Sequence, residues 1–398
     1  FLCHVSYGEP CFPLHRCLNS FLSNFTKNNH MRNYNLFILA ILCQFTSLAN
    51  WAEVETPTSE NLNKLEIIGN IAFCVGENGT LLKSTNFGDT WNLLNSSTSS
   101  EITSIKFVTA NLGFFTTIDG EIFKTQNGGS SWTGDKLQDI GALNCVDFLD
   151  ENTGLTAGDN GNIFRTINGG NTWNTLGGQS VFVVNDILLM NDTLALSVGA
   201  QGSVLSSSDL GLTWTLVSTE SSESFSALEK KNNEVAIFTG TNGVIGEFSA
   251  ISNSVGEIKS IDSENDWLTD LEVLENGRVF AVGRNSSILR TNNGWKTLDL
   301  DSTNDIQSIK FFNDTLGLTC GSDGKIYKTE TAGAPVGTKS VLIERLKFHP
   351  NPTNNVITLS ENFERKKLEV FDINGKNIMN INITSNNIDH RGSMEPII

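Results

Sequence analysis

Between residues 50 and 335 the chain has one tyrosine, Tyr327, no histidine, and three cysteines, Cys74, Cys145 and Cys320. Without histidine there is no Ser-His-Asp or Cys-His catalysis and no imidazole for a transition metal. The three thiols are far apart, form no CxxC or Cys/His spacing, and are odd in number. They read as small buried hydrophobes rather than a disulfide framework. The one catalytic chemistry left open is glycoside hydrolysis by paired carboxylates, because acidic residues are plentiful. Glu77, Asp159 and Asp323 are examples, but each falls in a glycine-bounded loop where a solvated turn is the ordinary reading. No catalytic residue, cofactor or metal ligand is therefore assigned.

The same stretch carries 36 acidic against 16 basic side chains, a net of −20, within a chain whose total is −17. Such a field repels phosphate backbones and anionic lipid, so nucleic acid and acidic membrane surfaces are poor partners.

The elements that hold these residues are written as a repeat. Trp91, Trp132, Trp173 and Trp214 are each 41 residues apart. A second marker, a Gly-x-x-Gly turn before a short apolar run, has the same period: GENGTLLKS from Gly76, GDNGNIFRT from Gly158, GAQGSVLSS from Gly199, GTNGVIGEF from Gly240 and GSDGKIYKT from Gly321. GRNSSILRT from Gly283 has Ser286 at the second glycine, and IDGEIFKT keeps only Gly120. Seven copies of about 40 residues, each with four short strands, predict an all-β, seven-bladed β-propeller over residues 50–335. The last copy lacks its tryptophan and outer strand. NWAEVETP puts Trp51 40 residues before Trp91, so the N-terminal strand is expected to complete the last blade.

The tryptophans end an eight-residue phrase: STNFGDTW, TQNGGSSW, TINGGNTW and SSDLGLTW. Its positions are Ser84, Asn86, Gly88 and Trp91; Thr125, Asn127, Gly129 and Trp132; Thr166, Asn168, Gly170 and Trp173; and Ser207, Asp209, Gly211 and Trp214. The Asn or Asp should accept hydrogen bonds from nearby backbone amides, and the glycine allows positive φ. Each indole should pack on a neighbouring sheet. The phrase reads as a hairpin joint between third and fourth strands, and three of the four copies carry Asn, which cannot act as a carboxylate. Later copies decay: TNNGWKTL (291–298) is shifted, and the fifth blade, at EFSAISNSVGE, has none.

These phrases resemble the BNR/Asp-box propellers, most of all the photosystem II stability and assembly factor-like group, as in GDNGNIFRTINGGNTW. The resemblance implies the fold over residues 50–335 but little about function, since the repeat serves many proteins. Sialidases of this architecture need an arginine cluster and a tyrosine nucleophile. Here Tyr327 fills the apolar slot of Phe123, Phe164 and Leu289, and Arg165 and Arg290 fill the slot of Lys83, Lys124 and Lys328. Xyloglucan-cleaving relatives use two propellers, and this chain has one.

The C-terminal part carries a second resemblance. After the linker 336–342, FHPNPTNNVITLS and KKLEVFDINGKNIMNINI look like the C-terminal sorting domain of the type IX secretion system of Bacteroidetes. The matching positions are Pro350, Asn351, Pro352, Asp372, Gly375 and Lys376, and the family implies a small β-sandwich over 343–398. The final strand pair of that family is replaced by IDHRGSMEPII, so an incomplete domain is expected.

At the other end, MRNYNLFILAILCQFTSLA over 31–49 has a basic residue, an apolar core and a Ser-x-Ala cleavage pattern, the three parts of a secretory signal peptide. It is too short for a membrane span. Residues 1–30 then read as upstream sequence; the alternative is a genuine extension followed by a short anchor.

Asp-box turns share one face of a propeller, and Gly-x-x-Gly turns share the other with the variable inter-blade loops. Function is expected on the second face, with Glu77, Asp159, Gln201, Arg284 and Asp323 as candidate binding residues. The expected protein is secreted or surface-displayed, without an integral membrane span when mature. It would be exported by the type IX machinery and would bind a protein or glycan without catalysis. A glycoside hydrolase using carboxylates on that face is the alternative.

Overall fold

The computed structural model describes residues 51–137, 141–178, 182–261, 267–284, 288–291, 295–298, 304–332, 366–371 and 377–383. The expected extension, signal peptide and linker lie outside these residues, as do the sorting-motif positions Pro350, Asn351, Pro352, Asp372, Gly375 and Lys376. Among the described residues no helix is long and apolar enough to cross a membrane.

Residues 51–332 form antiparallel sheets around one axis. The innermost strands are Leu62–Ile68, Ile102–Phe107, Leu143–Phe148, Val184–Leu189, Phe225–Lys230, Leu268–Val273 and Ile306–Phe311. Each packs on the next, and the last packs on the first. Their sheets are called blades 1 to 7 in that order. Within each, the strands follow chain order outward, as hairpin connections require.

The expectation of seven equal four-stranded blades needs a correction. Six sheets are regular four-stranded blades, and the sheet of Phe225–Lys230 is five-stranded. There Val244–Ser249 pairs with two short outer strands, Ser254–Val255 and Lys259–Ser260. This is the copy without an Asp-box. With no box turn to fix the outer hairpin, the chain leaves the edge and returns to it.

Blade 7 is completed from the N-terminus. Ala52–Val54 pairs antiparallel with Ile326–Thr329, and Trp51 is buried against Phe311 with ring centroids 6.1 Å apart. First and last segments are thus held in one sheet, which leaves no open seam.

Blades adhere through apolar side chains of the first two strands. Phe73 of blade 1 stacks on Phe107 of blade 2 at 3.9 Å, and Phe114 of blade 2 stacks on Phe148 of blade 3 at 4.1 Å. Cys74, Cys145 and Cys320 are buried in these layers as free thiols. In a separate unit, Lys366–Phe371 pairs antiparallel with Asn377–Ile383.

Candidate functional site: the axial mouth

The Asp-box turns were the strongest sequence signal, and their bonding is that of a joint. In blade 1, Ser84 Oγ accepts the Gly88 amide at 2.9 Å, and Asn86 Oδ1 accepts the Ser84 hydroxyl at 2.9 Å and the Thr90 amide at 3.1 Å. Thr125 with Asn127, Thr166 with Asn168, and Ser207 with Asp209 repeat the pattern. Asn and Asp differ in one bond. Asn86 Nδ2 donates to Thr90 Oγ1, whereas Asp209 accepts from Thr213 Oγ1, so the hydroxyl reverses its role.

The box glycines face the preceding blade. A Cβ at Gly88 would lie 2.7 Å from Leu318, and one at Gly170 would lie 2.5 Å from Phe114. Lysines in the third-strand slot reach the next blade's box: Lys83 Nζ donates to the Gly128 carbonyl at 2.7 Å, and Lys124 Nζ to Asn171 at 3.0 Å. Trp91 and Trp132 are buried, while Trp173 and Trp214 are half-buried. The Ser or Thr and Asn or Asp groups of the box are engaged locally, so none of them converges on a ligand, while the indole N–H groups of Trp91 and Trp132 are buried without a hydrogen-bond partner.

On the opposite face, the five candidate residues sit in or beside the Gly-x-x-Gly turns. Gln201 and Asp323 occupy left-handed backbone positions, with φ of 54° and 57°. The Glu77 carboxylate accepts Asn61 Nδ2 at 3.0 Å, and the Asp159 carboxylate accepts the Ala142 amide at 3.1 Å. Arg284 lies over the Trp267 ring at 4.3 Å. The turns are spread round the rim and do not meet at one point.

What does meet is the start of the inner strands. Every one has a register shift between its first and third residues, as at Leu62/Lys64 and Val184/Asp186. Such bulges re-aim side chains at barrel rims and sites. Here they bring the second residues to the axis, together with the third residues Lys64, Ser104 and Asp186. The result is a mouth of about 410 Å³ lined by the second residue of every inner strand, with Lys64, Ser104 and Asp186 below and Glu101 and Trp267 on the rim. A second cleft of about 610 Å³ lies beside Glu53–Pro57 and Asp89–Trp91, where the N-terminal strand meets the first box turn.

The mouth residues also sew blade to blade. Asn63, Asn144 and Asn185 donate through Nδ2 to the carbonyls of Ile102, Val184 and Phe225 at 2.8–3.0 Å. Thr103 and Thr269 donate their hydroxyls to Leu143 and Ile306 at 2.5 and 2.8 Å. Ser226 Oγ accepts the Trp267 indole N–H at 2.6 Å. Gln307 makes no such bond.

Deeper in the channel, three lysines face six carboxylates. Lys64 pairs with Asp270 at 2.9 Å, Lys106 with Asp147 at 3.0 Å, and Lys310 with Glu229 at 3.1 Å and with Glu272. Among the described residues, Glu66 and Asp186 have no direct cationic partner. Carboxylates also accept amides of the next inner strand: Glu66 from Phe107, Asp147 from Leu189, Asp186 from Leu228 and Asp270 from Ile309. These side chains are largely enclosed by the inner strands, so desolvation acts on them strongly.

Burial pushes the Asp186 carboxyl up to about 6, against the pull of Lys64. It pushes Glu272 to about 7 despite Lys310. Burial also raises Glu66. Asp270 moves the other way: burial would raise it, but Lys64, Lys310 and the Ser308 hydroxyl hold it below the usual range. Asp147 foremost holds the Lys106 ammonium above its ordinary value.

Sequence reasoning missed these channel residues because they carry no catalytic signature. A signal existed: Asn63, Thr103, Asn144 and Asn185 each follow a buried apolar residue at intervals of about 40. Among the described residues no group of three or more His, Cys, Asp or Glu is arranged to hold a metal.

A closed ring of sheets with locally satisfied rim turns and a polar axial mouth defines a β-propeller scaffold. The chain matches the model of the photosynthesis system II assembly factor YCF48 over residues 43–330, and it belongs to that family. Residues 347–393 match the secretion system C-terminal sorting domain.

Among solved structures the chain is similar to one described as YCF48 bound to D1 peptide. The TM-score is 0.59 and the identity 20%, over 71% of this chain and 97% of that one. It is also similar to YCF48 from Cyanidioschyzon merolae (TM-score 0.58, 20% identity, 70% and 98% coverage) and to the WD40 β-propeller domain of Doa1 (0.59, 13%, 70% and 94%). At these identities the likeness is one of fold. No curated protein matches the chain.

Proposed function

We propose that this chain is an exported, non-catalytic propeller that holds an extended segment of a partner protein in its axial mouth. The observation that carries the reading is the mouth itself: about 410 Å³, polar, on the loop face, and built from every blade. The sorting-domain match supports export through the type IX machinery to the cell surface or medium. A similar propeller is described with a bound peptide, which supports a peptide over a glycan as ligand.

One observation favours hydrolysis: Asp186 and Asp270 are neighbouring carboxyls whose proton affinities are driven apart, as an acid and base require. Their oxygens, however, are already committed. Asp270 is held by Lys64, Ser308 and the Ile309 amide, and Asp186 by the amides of Leu228 and Ile187. This supports a non-catalytic role.

The test is selection from a random peptide-display library on the full chain, with a glycan array in parallel. Enriched peptides should lose at least tenfold in affinity to Ser226→Phe, which fills the mouth, and to Trp267→Ala, which removes its wall. Peptides indifferent to both variants, or glycans alone retained, would overturn the reading.

A further inference from the structure

The clasps around the mouth have a directional consequence. A carbonyl can only accept, so the bonds from Asn63, Asn144 and Asn185 to main-chain carbonyls fix each amide with its nitrogen toward the next blade. Each Oδ1 is then left without a partner among the described residues. Thr103 and Thr269 likewise spend their protons on carbonyls and keep only lone pairs for the channel. Five mouth groups from different blades therefore offer oxygen acceptors; Asn63 has both N–H groups engaged, by Glu101 and Ile102, while Asn144 and Asn185 each keep a second N–H.

Below them the charge balance is negative. Lys64 is the one cation among the lining residues, and its Nζ is held by Asp270, while the Arg284 guanidinium lies over Trp267 at the rim. Asp186 lines the same space and, among the described residues, makes no ion pair. The Asn oxygens and the Asp186 carboxylate favour a ligand group that brings hydrogen-bond donors and positive charge, and the Gln307 amide and Ser226 hydroxyl remain to accept or donate beside it.

We infer that the mouth receives the guanidinium or ammonium group of an arginine or lysine in the partner segment. The inference rests on the binding reading above and specifies its chemistry. The Asn63, Asn144 and Asn185 oxygens take its N–H donors, and Asp186 balances its charge. A bare divalent cation fits less well. Its shell needs six to eight oxygens about 2.3–2.6 Å from one point, whereas these acceptors border some 410 Å³.

Gln307 makes the inference testable without breaking a clasp, because it lines the mouth and its side chain makes no hydrogen bond among the described residues. The full chain is titrated calorimetrically with capped Gly-Gly-Arg-Gly-Gly and with its lysine, citrulline and glutamate counterparts. The arginine or lysine peptide should bind, and the two arms show which cation is preferred. Citrulline, equal in shape but neutral, should bind at least tenfold more weakly, and glutamate not at all. Gln307→Lys, which puts a cation in the mouth, should cost at least tenfold, and Gln307→Glu should gain severalfold. Binding should also weaken as pH falls through about 6, where Asp186 takes up a proton.

Equal binding of citrulline, preference for glutamate, or indifference to both Gln307 variants would overturn the inference. If the display selection returned mouth-dependent peptides without basic residues, the inference would fall and the binding reading would stand. If it returned none that depend on the mouth, both would fall.

Discussion

The Asp-box rim and the axial mouth are both made by repetition, yet they repeat different things. At the rim both backbone and side chains recur: Ser or Thr, Asn or Asp, glycine and tryptophan make the same bonds in four blades. At the axis the backbone recurs, with an Asn or Thr clasp at the second residue of five inner strands, but the third residue varies. The same bulge appears on every inner strand, but the residue it presents third is Lys64, Ser104, Cys145, Asp186, Ala227, Asp270 or Ser308 in turn. A position that repeats in side chain and backbone serves the joint between blades. One that repeats in backbone alone can carry the individuality of this propeller.

The contrast breaks most visibly at Asp270. Asp270→Ala removes the counterion of Lys64 and one of the charges near Lys310, and strands the Ile309 amide. Loss of one partner from a buried pair costs about 3–5 kcal/mol, read as a lower midpoint in urea unfolding. A change as small as that of a surface pair would mean the channel is as wet as the rim.

An intermediate effect is expected from pH. The Asp186 and Glu272 carboxyls are raised to about 6 and about 7, so the folded chain keeps protons that the unfolded chain sheds near pH 4. Stability should therefore fall as pH rises from about 5 to 7.5. Asp270, lowered, gains its contribution above pH 4 and is flat in this window, as are the raised lysines. The fall should be about 1–3 kcal/mol, and Glu272→Gln should flatten part of it. A rise over that range would contradict the burial of both groups.

At the rim the effects should be smaller and uniform. Thr166→Val leaves the Gly170 amide without its acceptor, at about 1–2 kcal/mol, with no change in the pH profile. Ser84→Ala should cost a similar amount. A spread between boxes as wide as that between axial sites would erase the distinction between rim and axis.

Legibility followed the same division. Trp51, Trp91 and the glycine turns gave the period, the closure of the last blade and the box bonds, because turns and hairpins depend on neighbours in the chain. Blade 5 was visible as a missing box, but not as two outer strands, since an absent turn does not say where the chain goes instead. Glu77, Asp159, Gln201, Arg284 and Asp323 were chosen for their face. That choice could not see that Gln201 and Asp323 hold left-handed turn positions, or that Glu77 and Asp159 are spent on Asn61 and Ala142.

By itself, the sequence determined the all-β repeat, the joints and the completing N-terminal strand, all set by local hydrogen bonding and apolar spacing at about 41 residues. Only the tertiary structure decided that Asn63, Asn144, Asn185, Asp186 and Gln307 share one mouth, and that three lysines stand among six carboxylates. Those residues come from blades some 40 to 240 positions apart. Their meeting depends on ring closure, and their charge states depend on the burial that closure creates.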